Sequence, residues 1–139
     1  MNWKLFALGS ALFAGLTAVL SKIGVEDIPS NLATLLRTFV ILLFLIGLVL
    51  VRQEWRNPGE LSSRTLLFLV LSGLATGLSW ICYYRALQIA PASLVSPLDK
   101  LSLVFAVILA VLFLGERLTL IQWVGTALMT SGAILLILK

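Results

Sequence analysis

Five long apolar runs, separated by short polar turns, determine what this chain can fold into. They extend over Leu5–Ile23, Leu32–Val51, Leu66–Ala90, Ser93–Leu114 and Thr119–Leu138. A helix needs about 20 mostly apolar residues to cross the hydrocarbon core of a bilayer. Because each run approaches that length, the sequence predicts an all-α fold, a polytopic membrane bundle of five transmembrane helices in one domain over residues 1–139. We expect the first run to be a span and not a cleaved signal peptide, since it exceeds the length of a signal core and four more runs follow it.

The composition excludes several classes of function. The chain has no histidine and a single cysteine, Cys82, so a His-based metal site, a His-dependent triad and an intrachain disulfide are all excluded. The net charge of +4 comes from cations scattered at the ends of the runs, and no basic cluster is present that would bind nucleic acid. The acids other than Asp99 lie in turns, so no acid–base pair for catalysis is evident. We expect no metal, no cofactor, no nucleic-acid partner and no enzymatic activity.

The loop charges leave the orientation in the membrane nearly balanced. Lys4 and four loop arginines lie on one face, against Lys22 and Lys139 on the other, which favours a cytoplasmic N-terminus by the positive-inside rule. When the three cations inside the runs are also counted, the two faces are equal. Five spans place the termini on opposite faces, and the weak charge bias permits both orientations of the chain, a dual topology.

Asp99 and Lys100 form an adjacent charge pair inside the fourth run. A charged side chain in hydrocarbon costs at least ~2.5–3.5 kcal/mol on insertion scales, so we expect a chain that keeps both to use them. In one interpretation Asp99 completes a capping box that begins at Ser96, with Pro97 as the first helical residue and Lys100 reaching to the headgroups. In the other, the helix breaks inside the membrane beside a water-filled cavity. There Asp99 would couple proton movement to substrate movement, with Lys100 as its modulator; the two interpretations are compatible.

A second group of candidates lies on the second and third runs. Arg37 is either a snorkelling arginine at the interface or a residue that faces a cavity. Gly73, Gly77, Trp80 and Tyr84 follow one another at i, i+4, i+7 and i+11, which places them on one helix face. The glycines predict close helix packing. Trp80 and Tyr84 are predicted to line a substrate pocket, where they stack on a ligand or hold an organic cation, and the alternative is an interfacial aromatic belt.

Several motifs in the second half of the chain together identify a known family. They are Tyr83-Tyr84-Arg85-Ala86-Leu87 followed by Pro91-Ala92-Ser93, then Leu114-Gly115-Glu116-Arg117-Leu118-Thr119, then Gln122-Trp123-Val124-Gly125 with Gly132. This pattern resembles the EamA domain, the repeat unit of the drug/metabolite transporter superfamily. Arg37 falls where such domains usually carry an arginine in the second helix. The resemblance covers essentially the whole chain, and its most specific part is the Leu-Gly-Glu-Arg-Leu stretch.

The resemblance implies a ten-helix exporter with a central cavity, built from two five-helix repeats of inverted topology, of which this chain supplies one. We therefore expect a secondary transporter in the cell membrane, of the bacterial inner-membrane type, that exports a small metabolite or amphiphilic compound. Its partner in the bilayer is expected to be a second copy in an antiparallel homodimer, or a related half in a heterodimer. The alternatives are a non-transporting membrane subunit or assembly partner, and a component of a lipid-carrier flippase.

Overall fold

The computed structural model describes residues 2–57, 59 and 61–138, and Lys139, used above in the topology argument, lies outside them. Within those residues the secondary structure is helical, without strands. The helices are α1 (Trp3–Gly24), α2 (Ser30–Val51), α3 (Ser63–Ile89), α4 (Ala92–Asp99), α5 (Ser102–Leu114) and α6 (Leu120–Leu135).

Four segments of the described chain are long and apolar enough to cross a membrane. They are α1, α2, α3 and the 23-residue segment Ala92–Leu114, which contains α4 and α5. The last apolar run forms a shorter helix than predicted, because α6 has 16 residues and covers about 24 Å along its axis. Its final residues continue as tight turns, with the Ile137 amide bonded to the Ile134 carbonyl at 3.0 Å. The structure confirms a helical membrane bundle, with four full-length candidate spans and one shorter apolar helix.

Prolines set two of the helix starts. Pro29 and Pro91 have extended conformations, with φ of −56° and −66° and ψ of 135° and 145°, immediately before α2 and α4. Proline fixes φ and cannot donate a backbone bond, which suits the residue at the start of a helix. The Ala33 amide and the Val95 amide donate to the carbonyls of these prolines. The turn signals seen in the sequence therefore end one helix and begin the next within a few residues.

The fourth run corrects one prediction. Ser96 does not cap a helix, because α4 already begins at Ala92 and carries Pro97 in its interior. Pro91 accounts for the earlier start, since it supplies the extended residue that a capping serine would otherwise have provided. The break in the run lies four residues further on, at Lys100 and Leu101, between α4 and α5. Asp99 is thus the last residue of a helix and not the third residue of a new one.

Local capping defines the turn between α5 and α6. Gly115 ends α5 in the left-handed conformation, with φ of 68°, a region that glycine enters without steric cost. Thr119 then caps α6, since the Gln122 amide donates to Thr119 Oγ1 at 3.4 Å and the Thr119 amide donates to Gln122 Oε1 at 2.7 Å. This reciprocal pair is a capping box. It occurs at Thr119-x-x-Gln122 and not at Ser96-x-x-Asp99.

The helices group into two compact units, one formed by residues 2–20 with 90–138 and the other by residues 21–89. In the first unit, α4 and α5 both pack against α6; in the second, α2 packs against α3. Few side chains are buried, and the largest fully buried ones are Val25 and Leu87. Most large apolar side chains of all the helices are exposed, which is the surface expected of a protein covered by lipid or by other helices.

We expect Gly115→Ala to lower the free energy of unfolding by about 1 kcal/mol, because an L-residue with a Cβ pays that much to hold a left-handed conformation. Gly125→Ala is the matched control, since it lies inside α6 with no atom within 4 Å of the added Cβ. Equilibrium unfolding in mixed micelles should separate the two variants. Equal stabilities would contradict the left-handed cap.

Candidate functional site

Arg37 on α2 lies against two aromatic rings of α3. Its Cζ is 4.3 Å from the centroid of the Trp80 ring and 5.7 Å from that of the Tyr84 ring. A guanidinium within about 6 Å of an aromatic face is attracted by the ring quadrupole. The structure thus brings three of the residues predicted from the sequence into one cluster. The Arg37 guanidinium thus lies over the Trp80 ring, where the sequence analysis had predicted that an organic cation could bind.

A buried hydrogen bond fixes Tyr84 in this cluster. The Tyr84 hydroxyl lies 2.9 Å from the Ser21 hydroxyl of α1, and Tyr84 is only 3% exposed. Since an unpaired hydroxyl in an apolar interior is costly, each residue satisfies the other. Tyr84 therefore belongs to the protein interior, and its ring is held in place against Arg37.

Polar side chains also tie the end of α1 and the turn that follows it to the end of α3. The Lys22 ammonium donates to the Leu87 carbonyl at 2.7 Å, which places a cation at the negative end of the α3 dipole. Gln88 Nε2 donates to the carbonyls of Val25 and Ile28 at 3.3 and 2.8 Å, and Arg85 donates to Gln88 Oε1 at 3.0 Å. These bonds hold the end of α3 beside the start of α2, and so hold Trp80 and Tyr84 opposite Arg37.

The sequence analysis missed Ser21 and the role of Lys22. The available signal was the spacing of Ala18, Ser21 and Val25, which recur at i, i+3 and i+7 and are all buried. A serine within such a stripe needs a partner on a neighbouring helix. The identity of that partner depends on how α1 is rotated against α3, which a single sequence does not specify.

Asp99 and Lys100 form a separate pair at the break between α4 and α5. Lys100 Nζ lies 3.4 Å from Asp99 Oδ2, and their side chains are 49% and 33% exposed, respectively. Through the break the backbone bonds shorten to the i→i+3 type, with the Leu101 amide bonded to the Leu98 carbonyl at 3.0 Å. The charge pair therefore lies on an accessible surface at an interruption of the span, and it belongs to a different compact unit from the Arg37 cluster.

The two glycines that were predicted to pack against a neighbouring helix have no such neighbour within the described chain. A Cβ added at Gly73 or Gly77 would meet no atom within 4 Å, so neither glycine is packed against another helix of the described chain. Their role in helix packing stays a prediction for contacts with another molecule.

A groove of about 720 Å³ lies in the unit that contains α5 and α6. Its lining is mostly apolar, with Glu116, Gln122 and Thr126 as polar members and Trp3 from α1. None of the site residues predicted from the sequence lines this groove. The chemistry of the described residues is instead concentrated in the Arg37 cluster and the Asp99–Lys100 pair.

A helical bundle with charged groups inside its candidate spans is a polytopic membrane protein with intramembrane polar sites, the class that includes transporters and their subunits. The chain belongs to the EamA-like transporter family, which matches residues 1–138. It is 53% identical over 135 residues to a protein described as an uncharacterized transporter in the cobO 3' region of a Sinorhizobium species, an alignment that covers 97% of this chain and 96% of that protein.

More distant similarity points to flippase subunits. Proteins of Yersinia pestis and Yersinia pseudotuberculosis, described as probable 4-amino-4-deoxy-L-arabinose-phosphoundecaprenol flippase subunit ArnE, are 32% identical over 106 residues. These alignments cover 73% of this chain and 93% of the relatives. No solved structure matches the chain.

We expect Ser21→Ala and Tyr84→Phe each to lower the free energy of unfolding by about 1 kcal/mol, because each removes one partner of a buried hydrogen bond. A double-mutant cycle should give a coupling energy near 0.6 kcal/mol, the mean for side-chain hydrogen bonds between membrane helices. Thr76→Ala is the control partner, since the Thr76 hydroxyl donates to the Ser72 carbonyl of its own helix. It should be additive with Tyr84→Phe, and an equal coupling in both cycles would contradict the Ser21–Tyr84 bond.

Proposed function

We propose that this chain is one half of a secondary transporter that exports a small amphiphilic compound, and that two halves form the working unit in the cell membrane. The observation that carries the proposal is the position of accessible charges within the candidate spans, at Arg37 and at the Asp99–Lys100 break. Transporters of several folds bind substrates and coupling ions near the bilayer midplane, where helices are interrupted. The family of the chain supports the same class of activity.

The need for a second half follows from the small interior of one chain. Only a handful of side chains are buried, and the open surface includes both charged groups and the glycines of α3. Intramembrane charges are normally found facing a bundle interior or a water-filled cavity. A second copy in antiparallel orientation would enclose them and recreate an inverted repeat; a related half in a heterodimer is the other arrangement.

A lipid-carrier flippase subunit is the second candidate. The relatives described as probable flippase subunits favour it, since they align over most of their length with this chain. The two candidates differ in the substrate: one moves a small amphiphilic compound from one side of the membrane to the other, and the other moves a lipid-linked headgroup that stays in the bilayer. Proteoliposomes loaded with either kind of substrate, with and without a pH gradient, distinguish them.

We expect the antiparallel homodimer to give a specific cross-linking pattern. In a Cys82→Ser background, Asn57→Cys lies in the α2–α3 loop and Asp27→Cys in the α1–α2 turn, on opposite membrane faces of one chain. When the two variants are co-expressed, cross-links should join a position-57 copy to a position-27 copy in native membranes. Cross-links restricted to 57–57 and 27–27 pairs would show parallel copies, and a chain without cross-links at any pair would point to the heterodimer.

We expect Asp99→Asn to insert and fold normally but to lose transport, or to lose the dependence of transport on pH. Asparagine keeps the shape of the side chain, whereas it cannot release a proton. Glu116→Gln in the α5–α6 turn is the matched control and should transport as the unmodified chain does. Normal pH-dependent transport by Asp99→Asn would remove Asp99 from the coupling step and leave it as part of the helix break.

A non-transporting membrane subunit makes a different prediction for the same position. There the charges would pair with helices of a partner and would be shielded from water. Asp99→Cys in the Cys82→Ser background should react with a membrane-impermeant thiol reagent if a water-filled cavity reaches the break. Protection of this thiol in the assembled protein, together with absence of transport, would support the non-transporting role.

A further inference from the structure

The charge of Arg37 is not neutralised within the part of the chain that the structure describes. The two ion pairs found there join Arg52 to Glu54 and Lys100 to Asp99. Lys22 and Arg85, two other cations of the same compact unit, differ from Arg37 in having hydrogen-bond partners, a carbonyl for Lys22 and Gln88 for Arg85. Within the described residues the Arg37 side chain forms no hydrogen bond and no ion pair, and it lies over two aromatic faces. A positive charge thus remains available inside a candidate span.

The depth of the guanidinium separates it from an interfacial arginine. Arg37 follows Ser30 by seven residues, about 10 Å along the axis of α2. On α3, Tyr84 lies about 7 Å and Trp80 about 13 Å from the end at Ile89, an end that Gln88 holds beside the start of α2. A snorkelling arginine extends toward the nearer headgroups. Here the guanidinium is closer to the deeper ring, Trp80, than to Tyr84, so it stays within the span.

The N–H groups of Arg37 are open to a ligand. Among the described residues, no fully buried side-chain nitrogen or oxygen lacks a hydrogen-bond partner. Since Arg37 makes no hydrogen bond there, its nitrogens must lie on accessible surface. The neighbouring hydroxyls of Thr34 and Thr38 donate to carbonyls of their own helix, at 2.9 and 2.7 Å. Arg37 is therefore the donor in this part of α2 that can bind a ligand.

The chemistry of the guanidinium defines the ligand. Its planar fork of N–H groups matches the two oxygens of a carboxylate or of a phosphate, and these N–H groups have no hydrogen-bond partner among the described residues. An anion would also neutralise the charge in a medium of low dielectric constant. An organic cation would be repelled by Arg37. The aromatic rings and apolar helices around the site suit a hydrocarbon part of the same molecule.

We propose that Arg37 binds the anionic group, a phosphate or a carboxylate, of an amphiphilic substrate, and that Trp80 and Tyr84 hold the guanidinium in place. This inference rests on the proposed transport function and names the class of substrate. Ser21 is a positioning residue for this site, since it acts through Tyr84.

Binding can be measured without transport. We place the full chain, with Trp3, Trp55 and Trp123 changed to Phe so that Trp80 is the fluorescent reporter, in nanodiscs of phosphatidylcholine. The probes are dodecyl phosphate, dodecanoate, dodecyltrimethylammonium and inorganic phosphate. We expect saturable changes in Trp80 emission with at least one of the two anionic amphiphiles and none with the cationic one. The anionic amphiphile that binds more tightly shows whether the site prefers a phosphate or a carboxylate. Inorganic phosphate tests whether an anion without a hydrocarbon chain is sufficient for binding.

Variants assign the binding to Arg37. Arg37→Gln should weaken the binding of the preferred anion at least about tenfold, the loss expected for one hydrogen bond to a charged group, and Arg37→Lys should weaken it less because it keeps the charge. Arg64→Gln is the matched control, because Arg64 lies 6.0 Å over the Phe68 ring at the other end of α3; it should bind as the parent does. Gel filtration and circular dichroism check that each variant is folded. If Arg37→Gln does not fold, the inference is tested by the unmodified site instead: it must bind the anionic amphiphiles in preference to dodecyltrimethylammonium.

Each remaining outcome also separates this inference from the transport proposal. Displacement of the probe in nanodiscs of phosphatidylglycerol would show that a bilayer lipid headgroup supplies the anion. Unchanged binding in Arg37→Gln, or equal binding of dodecyltrimethylammonium, would overturn the inference while a transporter remains. Arg37-dependent anion binding by a chain that moves neither kind of substrate in proteoliposomes would keep the site and reject the transport function.

Discussion

Hydrocarbon supplies no hydrogen-bond partners, and this constraint shapes nearly every polar group in the structure. Backbone groups pair within helices, and the hydroxyls of Thr34, Thr38 and Thr76 donate to carbonyls one turn earlier in their own helix. Where a side chain must find a partner on another helix, it does so in a short contact, as Ser21 does with Tyr84. Against this background of hydrogen-bonded hydroxyls, Arg37 differs in having no hydrogen bond and no carboxylate partner within the described chain.

The network around the end of α3 shows how a small bundle positions such a group. Lys22 and Gln88 each use a long side chain to bond backbone carbonyls on a neighbouring segment. Carbonyls at helix ends and in turns lack helical partners, so these bonds satisfy acceptors that would otherwise need water. The same bonds fix the register of α3 against α2. The contact between Arg37 and Trp80 therefore depends on hydrogen bonds at Leu87 and Gln88, about two helix turns from Trp80.

The sequence predicted the helices from run length alone, and α2 illustrates why this succeeds: Leu32–Val51 has no interruption, so the helix found over Ser30–Val51 differs only at its start. The fourth run shows the limit. Pro97 indicated a break, but proline distorts the helix on both sides of itself, and the break occurs at Lys100–Leu101. The Ser96 motif was also mistaken for a cap, since Ser-Pro-x-Asp and Thr-x-x-Gln both have the required pattern. Pro91 starts α4 before Ser96, so of the two motifs only the one at Thr119 caps a helix.

The candidate site was predictable as a set of residues but not as an arrangement. Arg37, Trp80 and Tyr84 are unusual residues for apolar runs, and chemistry alone selected them. Their contact depends on the rotation of α2 against α3, which small differences in packing decide. The assignment of partners for Asp99 was simpler, because its cation is the adjacent residue.

The tight turns at Lys100–Leu101 have a consequence for the backbone hydrogen bonds. The Lys100 amide is shared between the Ser96 carbonyl at 3.3 Å and the Pro97 carbonyl at 3.1 Å, and the Val104 amide bonds the Leu101 carbonyl at 3.0 Å. Because the Lys100 amide has two acceptors within reach, the loss of either bond would leave it paired with the other. The interruption between α4 and α5 therefore keeps the amides of Lys100, Leu101 and Val104 bonded to carbonyls of the same span, although the helix itself is broken there.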